Sequence, residues 1–157
     1  MTPLRRTKEL RRMLALALLF LVGSEGAQAQ DRPPEIVAIV NRGNPMPSIS
    51  VHELRLLYAL YKRSWTGGIR VYLIIPAPGS AAMEFLVSSV FRHRNEQQID
   101  TFYLQAVFAQ SIPLRPPQLP ARAAIELVRS EPGAIALVER REIRDGAGVR
   151  VLQISDD

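Results

Sequence analysis

Residues 74–85 read IIPAPGSAAMEF, an apolar run that enters a Pro/Gly turn, meets a serine and then turns to helix-forming residues. The run RVYLIIP before the turn, Arg70 to Pro76, has the β-branched and aromatic content of a strand that stops at proline. A strand that passes through a tight turn into a helix is the unit of layered α/β domains. Ser80 suits the N-cap of its own helix, where its hydroxyl would accept a first-turn N–H. The same turn also offers free N–H groups and the positive end of a helix dipole, which attract anions. Gly79, Ser80 and Ala81 are therefore the candidate anion-binding residues, with helix capping as the alternative role of Ser80.

Other stretches repeat the alternation. EIVAIV, residues 35–40, reads as a buried strand, and NRGNPMPSIS after it as a loop. Ser50-Val51-His52-Glu53 fits the S-x-x-E capping box, so a helix is expected from Val51 with Leu54, Leu57, Tyr58 and Tyr61 at helical spacing. Gly67-Gly68 mark a turn. Helices are expected from Phe85 to near His93, over 96–109 with Ile99, Phe102, Tyr103, Ala106 and Val107 inward, and over 121–129 with Ala124, Ile125 and Val128 inward. SIPLRPPQLP, with four prolines, reads as a loop, AIALVE as a third buried strand and VRVLQI as a fourth. The pattern implies an α/β layered sheet with parallel pairings and helices on both faces. In such sheets ligands sit beyond the carboxyl ends of strands, where residues 74–85 lie.

The first 29 residues read differently. Five basic residues precede the apolar run MLALALLFLV, and Ala27-Gln28-Ala29 follows as a small-x-small cleavage pattern. Together they read as a secretory signal, with ten apolar residues too few to span a bilayer. Retention of the segment as an anchor is the alternative. A single exported domain is thus expected over 30–157, with membrane contact only through the signal segment. Removing 1–29 lowers the formal charge from +5 to +2, which weakens any case for nucleic acid. The chain has no cysteine, so an exported form must rely on its core rather than on disulfides.

Three stretches carry a resemblance. IVAIVNRGNPMPSISVHELRLLYALYKRSWTGG is similar to the IVN-x-x-NP segment, the [ST]-x-x-[EQ] helix start and the later tryptophan of the phosphate-binding proteins of ABC importers. EPGAIALVE resembles that family's NPGAIGYV stretch, and IIPAPGSAAMEF falls where the family carries R-x-x-G-S-G-T-R. The resemblance covers about 35–139. It implies one lobe of the two-lobed type II periplasmic binding protein fold, a phosphate or other small oxyanion as ligand, and an ABC permease as partner. At the turn, Gly79 and Ser80 match, but the motif's leading arginine falls on Pro76 and its Gly-Thr-Arg becomes Ala81, Ala82 and Met83.

Could other cations replace the missing ones? Arg42, Lys62, Arg63 and Arg115 lie in loops that are expected to reach the same sheet edge, or else are solvated surface charges. Trp65 is expected to line the ligand mouth or a partner surface, with the core as its alternative place. No cofactor or metal site is expected, because His52 and His93 lie on separate elements and cysteine is absent. No G-x-S-x-G elbow, P-loop or paired carboxylates ask for catalysis. The functional expectation is an exported, non-catalytic solute-binding-like domain. Its alternative is a periplasmic protein-interaction or sensory module, serving an envelope protein, that kept the fold and lost the ligand.

Overall fold

The computed structural model describes residues 33–92 and 95–156. The expected signal segment and the expected helix end at His93 lie outside the described residues. The main sheet has four strands in the order β3-β6-β1-β7. β1 is Ile36–Asn41, β3 is Tyr72–Leu73, β6 is Ala134–Glu139 and β7 is Val149–Leu152. Two short pairs form separate two-stranded sheets. β2 (Ile49–Ser50) pairs in parallel with β8 (Ile154–Ser155), and β4 (Ile75–Pro76) pairs in parallel with β5 (Gln118–Leu119).

β1 and β6 alternate side chains between two cores because successive residues of a strand point to opposite faces. Ala38, Val40, Ile135 and Leu137 enter one core, against α1 (Val51–Tyr58), α2 (Ala81–Phe85) and α3 (Glu96–Phe108). Val37, Ile39, Ala134, Ala136 and Val138 enter the other, against Ala124, Ile125 and Val128 of α4 (Ala121–Ser130). Helices on both faces of one sheet are the expected architecture. α2 runs on without a break as a π-helical turn, Leu86–Phe91, whose last carbonyls receive Arg55 of α1, Nε to Val90 O at 2.7 Å. Phe91, Phe102 and Tyr103 then stack edge to face between that turn and α3.

The capping box forms as expected. Ser50 Oγ accepts the Glu53 N–H at 3.1 Å, and Glu53 Oε2 accepts the Ser50 N–H at 3.1 Å. Ser50→Ala should cost about 1 kcal/mol by freeing a first-turn donor. Thermal unfolding should register this as a fall of about 3–5 °C. An unchanged midpoint would mean that packing alone sets the start of α1.

Strand direction departs from expectation. β3 and β6 are parallel, but β1 runs antiparallel to both β6 and β7, so the sheet is mixed. Alternation of strands and helices fixes the layering, whereas direction depends on which end of the sheet each connection leaves. The expected strand 70–76 also divides. Residues 63–71 form a hairpin, with an isolated bridge from Ser64 to Arg70, and the strand then bends at Ile74. The expected strand 149–154 breaks at Gln153, and the proline-rich loop contributes the two residues of β5.

Candidate functional site

Gly79, Ser80 and Ala81 do sit just beyond the carboxyl end of β4, at the start of α2. Gly79 has φ +68°, a left-handed conformation that glycine adopts without strain, and this lets the chain turn from strand to helix. Ser80 caps α2. Its Oγ accepts the Met83 N–H at 3.1 Å and donates to the Ala77 carbonyl at 2.7 Å. Both bonds are internal to the turn. The Gly79 N–H donates to Glu96 Oε1, at the start of α3, at 2.8 Å. One of the amides expected to face an anion thus already holds a carboxylate. Ala81 and Ala82 occupy the first two helical positions, where no intrahelical acceptor exists for the N–H.

A cavity of about 130 Å³ adjoins the turn, lined among others by Pro76, Ser80, Ala82, Pro120, Glu139 and Glu142. Its charged walls are carboxylates. Glu139 closes a short 3₁₀ turn, Arg140–Glu142, through a reciprocal capping box, with its own N–H on Glu142 Oε2 at 3.1 Å. Arg141 Nε lies 2.7 Å from Glu139 Oε2, but the Arg141 side chain is mostly exposed and already paired. Arg140 pairs with Glu35, Nε to Oε1, at 2.7 Å. No arginine lines this cavity. Among the described residues no three His, Asp or Glu side chains gather as a metal site.

None of the cations proposed as substitutes lines this cavity. Because β1 is antiparallel to β6, Ile36 faces Glu139 and Val40 faces Ile135. Arg42, past the end of β1, is therefore at the opposite sheet edge, about 20 Å away along a six-residue strand. Arg63 is at that far edge too. Its carbonyl accepts the Val71 N–H ahead of β3, and its Nη1 donates to Ser111 O at 2.8 Å. Arg115 pairs with Asp100 of α3.

Trp65 also departs from the ligand-mouth and surface readings. It is 4% exposed, packs in the larger core, and donates its indole N–H to the Gly133 carbonyl at 2.9 Å. The hairpin folds the indole inward, so it offers neither a ligand mouth nor a partner surface. Glu96, Glu139 and Glu142 are the residues that sequence reasoning missed. Glu139-x-x-Glu142 at a strand end is a faint capping signal, but the reach of Glu96 to Gly79 across 17 residues leaves no local pattern.

No known family profile and no curated protein matches the sequence. Solved structures do match. An ABC-type phosphate transport receptor from Vibrio cholerae aligns with a TM-score of 0.58 at 12% identity, over 77% of this chain and 46% of that one. A phosphate ABC transporter substrate-binding protein from Clostridium perfringens, crystallised with bound phosphate, gives 0.57 at 11% identity, over 77% and 45%. PstS from Borrelia burgdorferi gives 0.58 at 10% identity, over 77% and 47%. This chain spans about half the length of these proteins and has the α/β fold of that half, a fragment of the periplasmic binding protein fold.

Proposed function

We propose that the chain is an exported, non-catalytic binding module that has the phosphate-receptor fold and acts by contacting an envelope partner rather than by capturing free phosphate. The contact of the Gly79 N–H with Glu96 carries this reading. A phosphate arriving there would meet Glu96 on the amide, Glu139 and Glu142 in the adjoining wall, and no arginine fork. Charge-assisted arginine contacts are the strong ones for oxyanions, and a lone short helix start does not offset carboxylate repulsion at this distance. The fold supports an ABC permease or another envelope protein as the kind of partner.

The solute-binding reading keeps one supporting feature, the first-turn amides of Ala81 and Ala82 beside Ser80. Calorimetry with millimolar phosphate separates the two. The wild-type protein should give no binding heat, and Glu96→Ala should expose the Gly79 amide and allow a weak signal at most. A wild-type signal that Ser80→Ala abolishes would overturn the module reading in favour of Gly79, Ser80 and Ala81 as an oxyanion site. A stoichiometric envelope partner, retained from solubilised membranes by both Ser80→Ala and Glu96→Ala, is the positive result expected.

A further inference from the structure

The sheet edge far from Ser80 carries three projecting apolar side chains. Tyr61 is 81% exposed, Phe108 84% and Leu114 78%. They come from three connections: the exit of α1, the last residue of α3, and the proline-rich loop. These connections meet. Arg63 Nη1 donates to Ser111 O, and Leu60, Tyr72, Ile112 and Leu114 line one groove of about 430 Å³. Leu104 sits one turn before Phe108 on the same face of α3 and is half exposed. Together these side chains expose on the order of 600 Å² of mainly apolar surface, at the top of the range of about 300–600 Å² for the largest patch on a typical monomer.

Cations surround them. Among the described residues, Lys62, Arg63 and Arg70 form no ion pair with a carboxylate. Arg63 gives Nε and Nη1 to the Leu60 and Ser111 carbonyls, so its charge stays uncompensated. Within the groove Glu131 is the one carboxylate.

We propose that this edge docks on an anionic bilayer surface. Tyr61, Phe108 and Leu114 enter the headgroup–acyl boundary, and Lys62, Arg63 and Arg70 lie at the lipid phosphates. Amphipathic aromatic rings and long basic side chains both favour that depth. The arrangement suits a bilayer better than a protein. Separate tips on separate loops need no matched sockets in a fluid surface. A second copy related by two-fold symmetry would bring this basic rim against the same basic rim of its mate, which like-charge repulsion opposes. The inference stands whether or not the Gly79 turn holds an anion.

The test is Phe108→Trp in the full chain, with vesicles that contain brominated lipids. Trp65 is the one native tryptophan and is buried, and the leader has none, so quenching reports position 108. Vesicles of equal phosphatidylglycerol and phosphatidylcholine should quench the new indole, and pure phosphatidylcholine should quench it far less. Lys62→Glu, Arg63→Glu and Arg70→Glu together should lower partitioning at least tenfold, since each basic residue near such a surface contributes about fivefold. Tyr61→Ser with Leu114→Ser should also weaken quenching while the circular dichroism spectrum is kept. No quenching on the anionic vesicles would overturn the proposal. So would equal quenching on both lipids, or a concentration-dependent dimer that shields residue 108 without lipid.

Discussion

Gly133→Ala should remove a large share of the domain's stability. A Cβ at this position would lie 1.9 Å from the Arg70 carbonyl oxygen and 3.1 Å from the Arg70 carbonyl carbon. Both are backbone atoms, so no side chain can turn aside. The hairpin end at Arg70 and the start of β6 must part by more than an ångström. That movement also disturbs the Gly133 carbonyl, which accepts the Tyr72 N–H at 2.9 Å and the buried Trp65 indole at 2.9 Å. Overpacking together with two strained or broken buried hydrogen bonds should cost about 4 kcal/mol or more. Total stability for a domain of this size is about 5–15 kcal/mol. Thermal unfolding should show a midpoint lower by about 15 °C. At Gly43 an added Cβ meets only Asn41 Oδ1 at 3.4 Å, so Gly43→Ala should leave the midpoint nearly unchanged. Equal midpoints for the two variants would show that the β3–β6 edge yields freely.

The same glycine explains why the fold was legible in the sequence while the site was not. The stretches that carry the family resemblance hold residues with scaffold roles. Asn41 Nδ2 donates to the Val128 and Arg129 carbonyls at 3.0 Å each, which ties the end of β1 to the last turn of α4. Asn44, the one buried polar residue among those described, accepts the Met46 N–H and shapes the loop before β2. Ser50 and Glu53 start α1, and Gly133 admits the close strand approach. Each acts through local geometry or a strict steric demand, and such demands leave short patterns. The ligand-facing part of the resemblance rests on Gly79 and Ser80 alone, and here they make the turn and cap the helix.

What the sequence hid has one physical origin, the pairing of groups far apart in the chain. The antiparallel course of β1 puts Arg42 at the wrong edge, and no local period records strand direction. The reach of Glu96 to Gly79 depends on how α3 packs after the π-helical turn. Trp65 lies in a polar, Gly-containing stretch that reads as surface, yet its indole finds a carbonyl 68 residues away and the hairpin closes over it. Phe108 falls outside the inward stripe of Ile99, Phe102, Tyr103, Ala106 and Val107 and is among the most exposed large apolar side chains. But nothing local in the sequence shows that Tyr61 and Leu114 project at the same edge.

Alkali should destabilise the domain steeply, through two buried tyrosines linked in series by hydrogen bonds. Tyr103 donates its hydroxyl to the Tyr58 carbonyl at 2.7 Å, and Tyr58 donates its own to the Ile74 carbonyl at 3.1 Å. Both side chains are fully buried. Burial pushes the Tyr58 phenol well above its ordinary value of 10.0. Burial does the same to Tyr103, reinforced by the neighbouring Tyr58 and only partly offset by Arg115. The folded protein therefore keeps both phenols neutral where the unfolded chain ionises them. Their contribution is complete below about pH 10, the unfolded value, and falls as pH rises above it toward the raised folded values. Each phenol should remove about 1.4 kcal/mol per pH unit over that window, so the pair removes about 2.7. Two units of pH would then erase about 5 kcal/mol, comparable to the whole stability of a marginal domain. Urea unfolding at successive pH values above 10 measures the slope. Tyr58→Phe should lose about 1 kcal/mol at neutral pH, from the missing bond to Ile74, and should halve the alkaline slope. Tyr103→Phe should halve it too, and the double variant should lack this component altogether. A slope that stays the same in the double variant would assign the alkaline transition to other groups, and the buried tyrosine pair would then be only a packing element between α1, α3 and the sheet.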